Sequence, residues 1–249
     1  MERELAGHNK EIEDRIFEKY AELRVGRGLC GKCSVPKEVN SGLPVSFFVV
    51  GEDFQKQELR VMFVGKTVQS GWESSPRNEA SGFLDSRKYA KEELFLPFWS
   101  TSPFWQCIKE ICQIVWEINN LEEMWRRIAI TNLVKCSTSP DLDTTPPLLK
   151  RNCIENAGFF ENEVKIARPT HMILFTGPDY DEYLKKLRFG YDDYEEKDAI
   201  SFLDEEGKII EHFEGGRELW EGAFLEGGKV KMLLLRTYHP ASYMKREEK

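Results

Sequence analysis

Four short apolar runs, at residues 59–64, 128–134, 171–175 and 230–235, are separated by stretches whose apolar residues recur every three or four positions. Each run is β-branched or leucine-rich and is followed by a turn or loop signal, the pattern of a strand buried on both faces. Helical spacing joins Ile12, Ile16, Tyr20 and Leu23; then Phe104, Ile108, Ile111, Val115 and Ile118; then Leu149, Cys153, Phe160 and Val164. Strands alternating with helices predict an α/β fold in which a parallel sheet is covered by helices on both faces. With 249 residues, 41% of them hydrophobic, the chain can bury roughly 70–75% of its unfolded surface, so it needs no disulfide or partner to fold. Residues 1–249 read as a single domain.

Charge divides the chain unevenly. The net charge is −8, yet residues 179–226 hold 16 acids against Lys185, Lys186, Arg188, Lys197, Lys208 and Arg217. That segment alone carries −10, and the rest of the chain carries +2, so the acidic total does not exclude a nucleic-acid partner elsewhere. The stretch from about 180 to 228 reads as an acidic insertion between the third and fourth strands, with a hairpin around Glu206 and Gly207. No window has the 18 or more apolar residues of a membrane span, and MERELAGHNKEIEDR carries acids where a signal peptide has an apolar core. The expectation is a cytoplasmic protein with no membrane partner.

In sheets of this kind ligands bind beyond the carboxyl ends of the strands. Those positions are Gly65, Lys66 and Thr67 after the first strand, Asn132 at the end of the second, Thr176 and Gly177 after the third, and residues 236–241, including His239, after the fourth.

Six cysteines in a reducing compartment read as ligands or small core residues. Cys30 and Cys33 form a CxxC within GLCGKC, half of a metal site; Cys136 closely follows the second strand, and Cys153 lies 17 positions on. Cys107 and Cys112, five apart on a helical stripe, point about 140° from each other and read as core. The CxxC is also compatible with a redox pair, and Cys136 and Cys153 with buried small hydrophobes. An iron–sulfur cluster accepts the widely split second pair more readily than a zinc ribbon, though spacing alone leaves zinc open.

The CxxC, the strand ending VMFVG, ITNLVKC with its second cysteine 17 residues on, RPTHMILFTG and YHPAS together resemble the iron–sulfur branch, family 4, of the uracil-DNA glycosylases. Order and spacing agree over about residues 17–245, apart from the acidic insertion. The resemblance implies a three-layer α/β/α fold around a four-stranded parallel sheet. It implies a 4Fe–4S cluster on Cys30, Cys33, Cys136 and Cys153, and a nucleoid-associated monomer with DNA containing a deaminated base as substrate. Asn132 takes the place of the base-reading asparagine, His239 that of the histidine in the HPA motif, and Phe98 in LPFWSTSPFW that of the aromatic that stacks on the base.

The chemistry suits those residue types. Breaking the bond between C1′ and a pyrimidine nitrogen leaves negative charge on the base, which a donating histidine stabilises. An asparagine amide offers an acceptor and a donor that match N3–H and O4 of uracil and mismatch cytosine. Each residue has a plainer reading too: His239 as a turn histidine, Asn132 as a strand-end cap, Phe98 as core. Reaching a base in duplex DNA requires flipping it out, for which Tyr243 and Met244 are placed as a wedge and Lys245 and Arg246 as phosphate contacts, although KREEK also reads as a solvated tail.

Two departures stand out. The family's first motif, GEAPG, is here Gly65, Lys66, Thr67, Val68, Gln69, Ser70, Gly71, so its acid has become Lys66, and STSP replaces the usual RPP after Cys136. An ammonium cannot act as a general base, while Gln69 or Thr67 can orient water without deprotonating it. The rival expectation is a non-catalytic iron–sulfur nucleic-acid-binding protein on the same scaffold; a third is a zinc-stabilised structural protein.

Overall fold

The computed structural model describes residues 7–22, 48–67, 99–135, 145–189, 198–203, 209–210, 220–226 and 229–240. Helix α1 spans Lys10–Glu22 and buries Ile12, Ile16 and Tyr20. Asn9 caps it, its side chain accepting from the Ile12 N–H, and the buried Glu13 accepts from Val50 N–H at 2.9 Å, tying the helix to strand β1 (Val49–Val50). Strand β2 is Val61–Gly65. Helix α2, Pro103–Trp116, starts with proline in its first turn, where a missing N–H costs nothing, and ends at Glu117 in the left-handed conformation. Asn120 caps helix α3 (Leu121–Arg127) by accepting from the Glu122 and Glu123 N–H groups, and strand β3 (Ala129–Asn132) follows.

The expected stripe through Leu149, Cys153, Phe160 and Val164 is interrupted: helix α4 (Pro147–Lys150) runs into a π-helical turn, Arg151–Asn156, and Gly158, at φ 62°, restarts the chain as helix α5 (Phe159–Ala167). Strand β4 is His171–Leu174, helix α6 is Asp181–Leu184, and five strands complete the chain: β5 (Arg188–Phe189), β6 (Asp198–Leu203), β7 (Ile209–Ile210), β8 (Trp220–Glu226) and β9 (Lys229–Arg236).

The sheet order is β1-β3-β2-β4-β9-β8-β6-β5, with β7 paired to β6. The four predicted strands pair in parallel in the order β3-β2-β4-β9. A purely four-stranded parallel sheet is nevertheless an incomplete description, because the sheet is mixed. β1 adds antiparallel to β3 on one edge, and β8, β6, β7 and β5 extend the other edge in antiparallel pairs. The acidic segment is thus partly sheet. Leu203 pairs antiparallel with Ile209 and Glu226 with Lys229; Glu206 and Gly207, where a hairpin is expected, lie outside the described residues.

Alternation along the strands makes two apolar layers. Met62, Val64, Ala129, Met172 and Leu174 pack with α1 and α5 on one face. Val61, Phe63, Ile130 and Phe175 pack with α2 and α3 on the other. Helices therefore cover both faces, as alternation predicted. Cys112 is fully buried and Cys107 packs against the second layer, in keeping with a core role. Among the described residues no helix is long and apolar enough to cross a membrane.

Candidate active site

Backbone hydrogen bonds continue past the strand ends and stitch the carboxyl edge together. Leu133 and Val134 N–H donate to Gly65 and Lys66 C=O at 3.0 and 2.9 Å, Phe175 N–H donates to Val64 C=O at 2.8 Å, and Thr237 N–H donates to Leu174 C=O at 2.9 Å. Gly177 N–H closes the last link to Thr237 C=O at 3.0 Å. Gly177 has φ +69°, a conformation that side chains rarely adopt, and the Tyr238 ring lies 3.3 Å from where a Cβ would stand. The segment bearing His239 is therefore fixed against the β4 loop.

On this edge Asn132 and Gly65 are register partners on neighbouring parallel strands. The Asn132 amide folds over the glycine, so that a Cβ on Gly65 would stand 2.2 Å from Asn132 Oδ1 and 3.8 Å from the Phe104 ring. Phe104 in turn stacks on the His239 ring, with centroids 5.5 Å apart and planes 8° from parallel. It also meets Phe175 edge-on at 5.4 Å. Asn132 and His239, 107 positions apart in sequence, thus face a common aromatic ring above the α2 face of the sheet.

Lys66 adds a positive charge that acts on His239. Burial first, and the Lys66 charge second, push His239 down to about 4, so its ring is neutral at physiological pH. Lys66 is itself half-buried, and burial lowers it; Asp179 opposes the shift and Lys150 adds to it. Lys150 is buried and held in place, donating to Asp179 C=O at 2.9 Å with its ammonium 5.0 and 5.3 Å from the Tyr180 and Tyr183 ring centres. Thr67 is half-buried next along the loop, and the Thr176 hydroxyl is buried with no partner among the described residues. Arg236, by contrast, is structural: it is fully buried and donates to Asp181 Oδ2 at 2.6 Å.

Behind β3, on the opposite face, lies a buried polar cluster. Lys135 Nζ sits 2.5 Å from Glu163 Oε1 and donates to Thr131 Oγ1 at 2.7 Å and Asn132 C=O at 2.6 Å. Thr131 Oγ1 donates to Glu163 Oε2 at 2.8 Å, and the Tyr20 hydroxyl donates to Oε1. Burial pushes Lys135 toward neutrality and Glu163 toward protonation, and this saturated set of bonds opposes both. Its effect on the site is positional: it grips the Asn132 carbonyl from below while the Asn132 amide lies on top.

Cys153, in the π-helical turn, is buried among apolar residues and close enough to Lys135 for its thiolate to favour the ammonium. Lys135 immediately precedes Cys136 in the chain. A soft sulfur donor beside a fixed cation is compatible with an anionic thiolate-ligated cluster. Cys30, Cys33 and Cys136 lie outside the described residues, as do Phe98, Tyr243, Met244, Lys245 and Arg246. Among the described residues no group of three His, Cys, Asp or Glu is arranged to hold a metal ion.

Two contributors escaped the sequence reading. Phe104 falls on the apolar stripe of its helix and reads as core; yet a helix entering a parallel sheet after a strand begins at the carboxyl edge, and Phe104 lies in the first turn. The Lys135–Glu163 pair carries no local signal, because its members are 28 residues apart. No protein-family model matches this chain, and no curated protein does.

Proposed function

We propose that the protein is an iron–sulfur DNA glycosylase of the uracil-DNA glycosylase fold, hydrolysing the N-glycosidic bond of uracil or a related deaminated base. The observation that carries this reading is the meeting of Asn132 and His239 around Phe104 at the carboxyl edge of the sheet. The Asn132 amide, backed by Gly65 and carried on a residue whose backbone carbonyl accepts from Lys135, is positioned to pair with the polar edge of uracil. Neutral His239 offers an N–H to a base oxygen without first losing a proton, and the charge developing on the departing base strengthens that bond in the transition state. Departure through an oxocarbenium-like sugar needs little push from water, so a site without the first-motif acid still lowers the barrier. Cys153, with Cys30, Cys33 and Cys136, would hold a 4Fe–4S cluster, whose contribution when bound is to brace the loops around the site.

Tyr243 and Met244 are assigned to the vacated base stack, Lys245 and Arg246 to phosphate, and Phe98 to the base face. Release of base from uracil-containing oligonucleotides by the holoprotein tests the reading, together with iron and sulfide analysis of the purified protein. Absence of release from both single- and double-stranded substrates overturns it. The second reading, a non-catalytic DNA-binding protein, is favoured by Lys66 in place of the acid and predicts a gel shift with no alkali-labile site.

A further inference from the structure

We infer that Lys66 is an amine nucleophile toward the aldehyde of an abasic deoxyribose, so that the protein is also a lyase that cuts the strand at the site its base release creates. The inference rests on the glycosylase reading and assigns the residue which that reading leaves without a task. Lys66 is fixed at the strand edge by its carbonyl bond to Val134 N–H, one residue past Gly65 and the Asn132 amide. Its ammonium lies within electrostatic reach of three groups from different elements: His239 after β9, Asp179 after β4 and Lys150 on α4. Among the described residues it makes no hydrogen bond or ion pair that would occupy its nitrogen.

Partial burial is the arrangement that activates a lysine for carbonyl attack, because it disfavours the ammonium and releases the lone pair; the Lys150 charge pushes the same way, by less than Asp179 opposes it. The exposed carboxylate of Asp179 works against this without bonding to Lys66. An ammonium is useless as the missing general base; the free amine is a competent nucleophile, and base release leaves a C1′ aldehyde in the same pocket.

The step balances without an oxidant. Lys66 Nζ adds to C1′ of the ring-opened sugar, forming a C–N bond, and the carbonyl oxygen takes up two protons and leaves as water. The resulting iminium acidifies C2′; loss of that proton to solvent expels the 3′ phosphate as the C3′–O bond breaks. Water then hydrolyses the imine and restores Lys66.

Holoprotein is incubated with a single-stranded oligonucleotide carrying a preformed abasic site, with borohydride added to reduce any imine. The expected result is a covalent complex stable on denaturing gels, mapped by peptide mass to Lys66, and reduced at least tenfold in Lys66→Arg, which keeps the charge but not the nucleophile. Mapping on the wild-type protein identifies the nucleophile directly should the variant fold poorly. No complex, or one mapped to another amine, overturns the inference. A parallel reaction on a uracil oligonucleotide separates the two readings. Base release without trapping removes the lyase alone, trapping without base release removes the glycosylase alone, and neither removes both.

Discussion

Substitution of Gly65 by alanine isolates the contact that shapes the proposed base pocket. The new methyl would stand 2.2 Å from Asn132 Oδ1, whereas ordinary contact begins near 3.4 Å, so the amide has to retreat. The obstructing atom is the end of a side chain and not backbone, which keeps the stability loss to about 1 kcal/mol or less. The same retreat displaces the base-reading group by about 1 Å, enough to cost about 100-fold in rate, or roughly 2.7 kcal/mol of transition-state stabilisation. The assay is kcat/KM for base release from a uracil-containing single strand, with thermal unfolding in parallel. In an Asn132→Ala background no amide is there to displace, so the methyl should add less than about threefold. Wild-type activity in Gly65→Ala, or full additivity with Asn132→Ala, would refute the steric argument.

Other consequences follow from the same geometry. Because His239 is held at about 4 in the fold against about 6.5 in the unfolded chain, the unfolded state binds more protons between those values. This group's contribution to stability is therefore fully present above about pH 6.5 and declines as pH falls toward 4; His239→Gln should flatten that part of the unfolding-versus-pH curve. Base release limited by the neutral ring should stay level from about pH 7 to 5, and a break near 6.5 removed by His239→Gln would contradict the assignment. Glu163→Ala leaves the Lys135 ammonium, Thr131 and Tyr20 hydroxyls buried without their acceptor and should cost about 3–5 kcal/mol in denaturant unfolding. Asn120→Ala removes the cap of α3 and should cost about 1 kcal/mol with no effect on base release, since α3 is remote from the strand edge.

The sheet was legible where a strand writes a continuous apolar run, and all four predicted strands are present within one or two residues of their ends; β2 and β3 are buried on both faces as expected, whereas β9 is buried at Met232, Leu234 and Arg236 and exposes Val230 and Leu233. The antiparallel edges were not. β1 has only two residues, and β8 reads WEGAFLE, whose glutamates and glycine disguise a strand. Asn132, Lys66 and His239 could be nominated because strand ends in a parallel sheet are where ligands bind. Phe104 could not, since an aromatic that closes a site and one that fills a core have the same periodicity. The Lys135–Glu163 cluster depends on tertiary contact alone, as buried ion pairs usually do. The break at Gly158 shows the limit of helical spacing: apolar positions kept the phase across a π-helical turn, so the stripe looked continuous while the backbone was not.

The most direct test is to identify by mass what the iron-loaded protein sets free from two single strands that differ only in carrying uracil or cytosine at one position. Free uracil from the first strand and no cytosine from the second, with His239→Ala slower by about 10²–10³-fold, is the predicted outcome. No free base from either strand, or equal loss of either base, would show that the amide and imidazole gathered at this edge do not read and release a pyrimidine.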